Sequence, residues 1–254
     1  RRSSDLLSDN YQLTNLVGFP PFKEIEGYVF IQENGLQSLE GLDSLVTVGG
    51  DLTLSLENFT DLSPLSHLTT VGETFTVHNN DGLTNLSGLE QLSFVGDELD
   101  IWRNDGLVNL YGMESLITLT NLHIRENNGL VNLIGLEQLD SIVEKLRISE
   151  NNALLSLEGL EQLQYVGSLI NISLNKDLTS LEALNHSILP VNHAISIWGN
   201  TELSDCAVEA VCETLQAFRH SVLIEITNAS GCQNRQEVLE ACLTPVSPEP
   251  ESPP

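Results

Sequence analysis

Apolar positions recur along the chain in a fixed order. A Leu or Phe returns at Leu13, Leu36, Phe59, Leu83, Leu107, Leu130, Leu154, Leu178 and Leu203, in steps of 23, 23, 24, 24, 23, 24, 24 and 25 residues. The text between these marks repeats as well. Gly35-Leu36-Gln37-Ser38-Leu39-Glu40-Gly41-Leu42 returns as Gly82-Leu83-Thr84-Asn85-Leu86-Ser87-Gly88-Leu89 and again from Gly129 to Leu136. A repeat of this length marks a stacked array in which each unit buries its apolar face against the next.

Each repeat carries two apolar segments. The first reads L-x-x-L-x-G-L-x-x-L-x-x-V, as from Leu83 to Val95. Its three-residue spacing is helix-like, but the glycine and the short span oppose a long helix. The second alternates and ends on a polar residue, as in Leu99-Asp100-Ile101-Trp102-Arg103-Asn104. It recurs at Leu122 to Asn127, Leu146 to Asn151, Ile170 to Asn175 and Ile195 to Asn200. Alternation with β-branched residues predicts a short strand with one buried face. One such strand per repeat, always of the same polarity, predicts a mainly β, parallel β-solenoid. Nine rungs spaced about 4.8 Å apart make an array about 40 Å long.

The residue closing each strand is Asn34, Asn80, Asn104, Asn127, Asn151, Asn175 or Asn200, with Glu57 interrupting the column. An amide there can bond turn backbone and the next amide in the stack, so the expected role is a structural ladder. Gly49, Gly50, Gly72, Gly96 and Gly167 are expected at turns, where positive φ or close backbone approach is needed.

These motifs, L-x-I-x-x-N with L-x-x-L-x-G-L-x-x-L-x-x-V-G, resemble the receptor L-domain type of leucine-rich repeat over about residues 13 to 203. The resemblance implies a right-handed solenoid of the kind found in receptor ectodomains and microbial surface proteins, and is nearly silent on ligand. The chain departs from the animal receptors in its regular repeats and in lacking N-terminal cysteines. Its C-terminal segment, from Leu203-Ser204-Asp205-Cys206 to Ala241-Cys242, resembles the end of secreted leucine-rich-repeat proteins of Bacteroidetes-type bacteria, which implies secretion or surface display.

The expected organisation is an N-terminal segment or cap at 1–12, the solenoid at 13–203, a cap at 204–243 and a Pro-rich linker at 244–254. The linker implies a further domain or anchor beyond Pro254. All four cysteines, Cys206, Cys212, Cys232 and Cys242, fall in the cap. They allow three pairings, and the expected one joins Cys206 to Cys232 and Cys212 to Cys242. A zinc site is disfavoured because close C-x-x-C pairs are missing. Within the cap, Asp205 is expected to N-cap a helix over about 206–217. Ser221 to Ile226 reads as a last strand and Gln233 to Cys242 as a second helix. Sequons at Asn58, Asn85, Asn171, Asn185 and Asn228 read mostly as chance matches in an Asn- and Ser-rich chain.

Composition narrows the function. With 36 acidic and 10 basic residues the net charge is -26, which excludes nucleic acid as a partner and disfavours anionic membranes. No apolar run reaches the roughly 20 residues of a spanning helix, so no membrane insertion by this segment is expected. The outward strand positions form two columns. The first is Phe30, Thr53, Thr76, Asp100, His123, Arg147, Asn171 and Ser196; the second is Gln32, Ser55, His78, Trp102, Arg125, Ser149, Ser173 and Trp198. Trp102 should therefore lie beside Arg125 and near His78, with Asp100, His123 and Arg147 in succession. Four of the ten basic residues, Arg103, Arg125, Lys145 and Arg147, gather here with both tryptophans on the same face. Such a face suits carbohydrate or peptide recognition, although outward Arg residues can also simply pair with nearby acids. The candidate ligand-binding set is His78, Asp100, Trp102, His123, Arg125, Arg147 and Trp198.

Asp43, Glu90, Glu114, Glu137 and Glu161 form an acidic column at the turns, read as a solvated edge where Ca²⁺ is conceivable; no other cofactor or metal is expected. Catalysis is disfavoured, since no paired outward carboxylates suit glycoside hydrolysis and no nucleophile or metal motif occurs. The sequence thus reads as a secreted or cell-surface, non-catalytic adhesion module for a protein or carbohydrate ligand. The alternatives are a passive spacer or surface-layer component and, less so, a polysaccharide-active solenoid enzyme.

Overall fold

The computed structural model describes residues 5–6, 15–18, 21–32, 36, 38–55, 59–187, 195–217, 222–224 and 228–243. Asn34, Glu57 and the Pro-rich stretch 244–254 lie outside these residues. The chain is a parallel β-solenoid. Its main sheet runs, in spatial order, through Asp5–Leu6, Val29–Gln32, Leu52–Ser55, Phe75–His78, Glu98–Trp102, Thr118–Arg125, Ser141–Ser149, Leu169–Ser173, Ile195–Trp198 and Val222–Ile224. Every pairing in it is parallel and joins neighbouring turns. A narrower parallel sheet joins Glu24–Ile25, Thr47–Val48, Thr70–Val71 and Phe94–Val95. The two long strands Thr118–Arg125 and Ser141–Ser149 continue past this corner, and Tyr165–Val166 pairs with the start of the second.

The helix-like spacing of the first apolar segment resolves into consecutive three-residue turns rather than a helix. Leu89 N–H donates to the Leu86 carbonyl and Leu92 N–H to the Leu89 carbonyl, Met113 and Leu116 repeat the pattern one layer on, and Leu136 and Leu139 repeat it in the layer after that. These i→i−3 bonds bring every third side chain inward, so Leu83, Leu86, Leu89, Leu92 and Val95 are all buried. Together with the inward strand residues, such as Leu99, Ile101, Leu122 and Ile124, they form one continuous core.

The turns depend on glycine. Gly135 adopts φ +115°, and a Cβ there would overlap the Leu110 carbonyl of the preceding turn. The glycines at 49, 72, 96 and 167 instead have ordinary φ and serve close approach: a Cβ on Gly96 would overlap the Gly72 carbonyl oxygen. The acidic column has a defined structural task. Asp43, Glu90, Glu114, Glu137 and Glu161 each accept the N–H of the glycine two residues earlier, at 2.8–2.9 Å.

The Asn ladder is continuous from Asn80 to Asn200. Asn80, Asn104, Asn127, Asn151, Asn175 and Asn200 are all buried. Each donates its backbone N–H to the Oδ1 of the next amide at 3.0–3.1 Å. Each side-chain NH₂ also reaches a carbonyl of the preceding turn. The ladder extends one step beyond the sequence reading, because Asn228 in the cap accepts from Asn200. Asn228 is buried and therefore serves the ladder rather than presenting an open sequon.

The cap holds two helices, α1 (Glu209–Ala217) and α2 (Arg235–Leu243). Both disulfides have the expected connectivity, Cys206–Cys232 and Cys212–Cys242. Asp205 does not cap α1. Its carboxylate accepts the Ser180 hydroxyl at 2.8 Å, and its backbone forms a bridge to Ser180. The helix starts later, at Glu209, whose N–H is taken by the Asn185 side chain of the preceding turn. Asn234 caps α2 through the N–H groups of Gln236 and Glu237, while Glu237 reaches back to Gly231 and Gln233. The Asn234 side-chain amide also donates to Glu237, so the two side chains brace the helix start together, with Glu237 holding the loop before it rather than the Asn234 backbone N–H of a capping box.

Candidate functional site

Constant register places the candidate residues in rows across the main sheet. His78 pairs with Trp102 and Trp102 with Arg125. The His78 and Trp102 rings stack with centroids 4.3 Å apart and planes 2° from parallel. The Arg125 guanidinium covers the indole at 4.5 Å, and Arg103 approaches it at 5.1 Å. Both ring faces of Trp102 are thus engaged by the protein, and the indole is left half-exposed at its edge. Cation–π contacts of this kind are worth about 0.5–2 kcal/mol each and fix the guanidinium in place.

Arg103 belongs to the turn rather than to the alternating strand. It occupies left-handed backbone at φ +52°, directly before ladder residue Asn104. Asn79, Glu126, Glu150 and Leu174 occupy the equivalent position with φ between +54° and +60°. Only Gly199, at +72°, supplies the residue type that usually marks such a site. The sequence placed Arg103 with the basic cluster of this face, but carried little sign that Arg103 and Glu126 would project beside the stack from left-handed turn positions. They do so together, as a 2.7 Å ion pair.

In the other column Asp100 pairs with His123 and His123 with Arg147. His123 Nδ1 lies 3.6 Å from Asp100 and 3.7 Å from Glu98. Arg125 reaches Asp100 at 3.5 Å and Glu126 at 3.2 Å. Arg147 has no ion-pair or hydrogen-bond partner among the described residues. Trp198 stands on the same face but three strand-to-strand steps from Arg125, through Ser149 and Ser173. The structure thus assembles His78, Asp100, Trp102, His123 and Arg125, sets Arg147 at their margin and leaves Trp198 apart.

The electrostatics follow from partial burial. Desolvation pushes the Asp100 carboxyl up to about 6; Glu98 adds to the rise and Arg125 opposes it. Desolvation, with Arg125 and Arg147, holds His123 down at about 4. His78 is lowered by burial and by Arg125 and Arg103. The Arg103 hydrogen bond pulls Glu126 below its usual value.

Asp100 and His123 act in opposite directions on stability. Between about pH 4 and 6 the folded state holds the Asp100 proton that the unfolded chain releases, so this group makes stability fall as pH rises. Between about pH 4 and 6.5 the unfolded state binds the His123 proton that the folded state rejects, so this group makes stability rise with pH. The groups facing the pair are Glu98, Arg125, Arg147 and, across the stack, His78. Asp100→Asn is expected to leave a stability that increases from pH 4 to 6.5 relative to wild type, and His123→Asn one that decreases, by about 1–3 kcal/mol in each case. Urea unfolding of both variants across that range checks the signs. Parallel curves for wild type and both variants would contradict the assignment.

Among the described residues, no group of three or more His, Cys, Asp or Glu side chains is arranged to hold a metal ion. The carboxylates of the acidic column are occupied by glycine N–H groups as described above. Among the same residues no helix is long and apolar enough to cross a membrane.

Polar satisfaction separates this face from the rest of the solenoid. The buried amide ladder is bonded throughout. Four buried side-chain atoms among the described residues lack a hydrogen-bond partner: Asp100 Oδ1, Asn121 Oδ1, Arg125 Nε and Asn171 Oδ1. All four belong to the strands Glu98–Trp102, Thr118–Arg125 and Leu169–Ser173 of the main sheet. A search of family models, curated proteins and solved structures returned no match to the chain.

Proposed function

We propose that the chain is a non-catalytic extracellular binding module whose main-sheet face, centred on the His78–Trp102–Arg125 stack, recognises a glycan or a protein. The observation that carries this reading is the concentration of unsatisfied polar atoms there. Elsewhere the same repeat satisfies its buried amides completely, so the sequence can do so. Departures from such consistency concentrate at functional sites. A rigid sheet also suits recognition, since its side chains are ordered before binding and less entropy is lost on contact.

Two disulfides fit an oxidising compartment, and secretion or surface display is the reading they support. The repeat motif supports likeness to receptor L-domain leucine-rich repeats. The second reading is a passive spacer, favoured by one observation: Asp100 and Glu126 already engage Arg125. Glycan-array and surface-proteome screening of wild type, Trp102→Ala and Arg125→Ala separates the two. Loss of a specific signal by about tenfold or more in both variants is expected, because Trp102 holds Arg125 in place. Equal signals in all three proteins would remove the site, and no specific signal at all would favour the spacer.

A further inference from the structure

South of the stack, toward the cap, the face changes character. Arg125 is followed in its own column by Ser149, Ser173 and Trp198. The two serines are short and Ser173 is buried, so they floor a shallow trough. Three strand steps put its ends about 14 Å apart. Arg125 forms one end wall and Trp198 the other. Unlike Trp102, Trp198 has no ring or cation stacked on it among the described residues. Its neighbour toward the trough is Ser173, which is too small to cover an indole.

Arg147 and Asn171 pair with each other across adjacent strands along one side of this trough. Arg147 is a half-buried guanidinium without an acid partner among the described residues, in a protein of net charge -26. Keeping such a cation unneutralised is unusual where carboxylates are abundant. Asn171 adds an amide oxygen with no donor. That oxygen and Ser173 are buried, so the complementary ligand offers an anion for Arg147, a hydroxyl for the partly exposed Ser149 and an apolar ring face for Trp198. A guanidinium fork matches a carboxylate in two parallel hydrogen bonds. Two acids stand close by: Glu126 is held by Arg103 and Arg125, while Glu150 follows Ser149 in an exposed left-handed position, so a ligand carboxylate is favoured on the Arg147 side alone; charges beyond about 8 Å are screened at physiological salt.

Resting on the binding role proposed above, the geometry points to a carboxylate-bearing linear glycan as the ligand. It lies along the stacking axis in the trough between Arg125 and Trp198, with a carboxylate on Arg147 and one pyranose ring against Trp198. The strand spacing of about 4.8 Å is close to the length of one pyranose unit, so successive sugars meet successive rungs and the trough takes three or four of them.

The test is calorimetric titration of the disulfide-intact protein with linear tetragalacturonate, tetramannuronate and tetraglucuronate, each as the free acid and as the methyl ester. At least one free acid binds, and its ester is weaker by about tenfold or more. Arg147→Ala and Trp198→Ala each weaken that acid by about fivefold or more, with wild-type far-UV circular dichroism and melting. Equal affinity for acid and ester overturns the carboxylate assignment while leaving the binding face in place. Unchanged affinity in Arg147→Ala or Trp198→Ala overturns the trough. If none of the six saccharides binds while the array screen yields a ligand sensitive to Trp102→Ala, the inference fails and the binding role stands. If neither experiment yields a ligand, both fail.

Discussion

Asn127→Ala is expected to destabilise the protein by about 3–5 kcal/mol, an effect set by hydrogen bonds rather than by volume. The Asn127 NH₂ donates to the Ile101 carbonyl, the Arg125 carbonyl and Asn151 Oδ1 at 3.0–3.1 Å. Its Oδ1 accepts both the backbone N–H and the side-chain NH₂ of Asn104. Alanine leaves these buried groups facing nothing, and water has no route to them because Asn104, Asn127 and Asn151 are fully buried. Asn127→Asp sharpens the argument. It keeps the acceptor for Asn104 but loses every side-chain donor and places a carboxylate against carbonyl oxygens. It is therefore expected to be worse than alanine at pH 7. It recovers as pH falls, since burial raises the folded-state pKa of the new carboxyl above its unfolded value. Asn128→Ala, at the exposed position next door, is expected to cost no more than about 1 kcal/mol. Urea denaturation of the three variants checks the order; an Asn127→Ala cost near that of Asn128→Ala would show that the ladder is not what holds the turns.

Gly135→Ala carries the second large effect. The backbone there is at φ +115°, which costs an L-residue about 1–2 kcal/mol by itself. The added methyl would also overlap the Leu110 carbonyl and approach Tyr111 N of the preceding turn. Two stacked turns must then separate, opening the Leu core and straining the Gly135 N–H bond to Glu137. A total of about 4 kcal/mol or more is expected. Gly18→Ala supplies the control, because Gly18 has φ +95° and nothing within 4 Å of a Cβ. It should cost only the conformational part, about 1–2 kcal/mol. Thermal melts of the pair separate the two contributions. Equal costs would mean that the turns are not packed as closely as the backbone positions indicate.

Much of this architecture is legible in the sequence because every layer repeats the same register. Once Leu99 to Asn104 reads as a strand, a shift of 23 or 24 residues places His123 beside Asp100 and Arg125 beside Trp102, as the strand pairing has it. The four cysteines leave three pairings open in the sequence, and the expected one is the one the cap forms. What the pattern hides has specific causes. The narrow second sheet uses two-residue strands, such as Thr70–Val71, which are too short for alternation to show. Left-handed positions at Arg103, Glu126 and Leu174 carry no glycine to reveal them. Asn228 joins the ladder across a spacing of 28 residues instead of 24, because the cap interrupts the repeat. The helix after Asp205 starts late because Ser180 takes the carboxylate that a sequence reader assigns to capping. Most consequential for function, a sequence shows which residues share a row but not which of them remain unsatisfied. Arg125 finds two acids while Arg147, one strand away, finds none among the described residues.

A ligand-binding face should be visible to the indoles it carries. With only two tryptophans in the chain, the two indole N–H resonances of ¹⁵N-labelled protein report on it directly, assigned by Trp102→Phe and Trp198→Phe. Titration with the strongest component of the array screen should shift the Trp102 indole resonance in a saturable manner, and the shift should vanish in Arg125→Ala. A saturable interaction that leaves both indole resonances unmoved would place the binding surface elsewhere and contradict a ligand-binding role for this face.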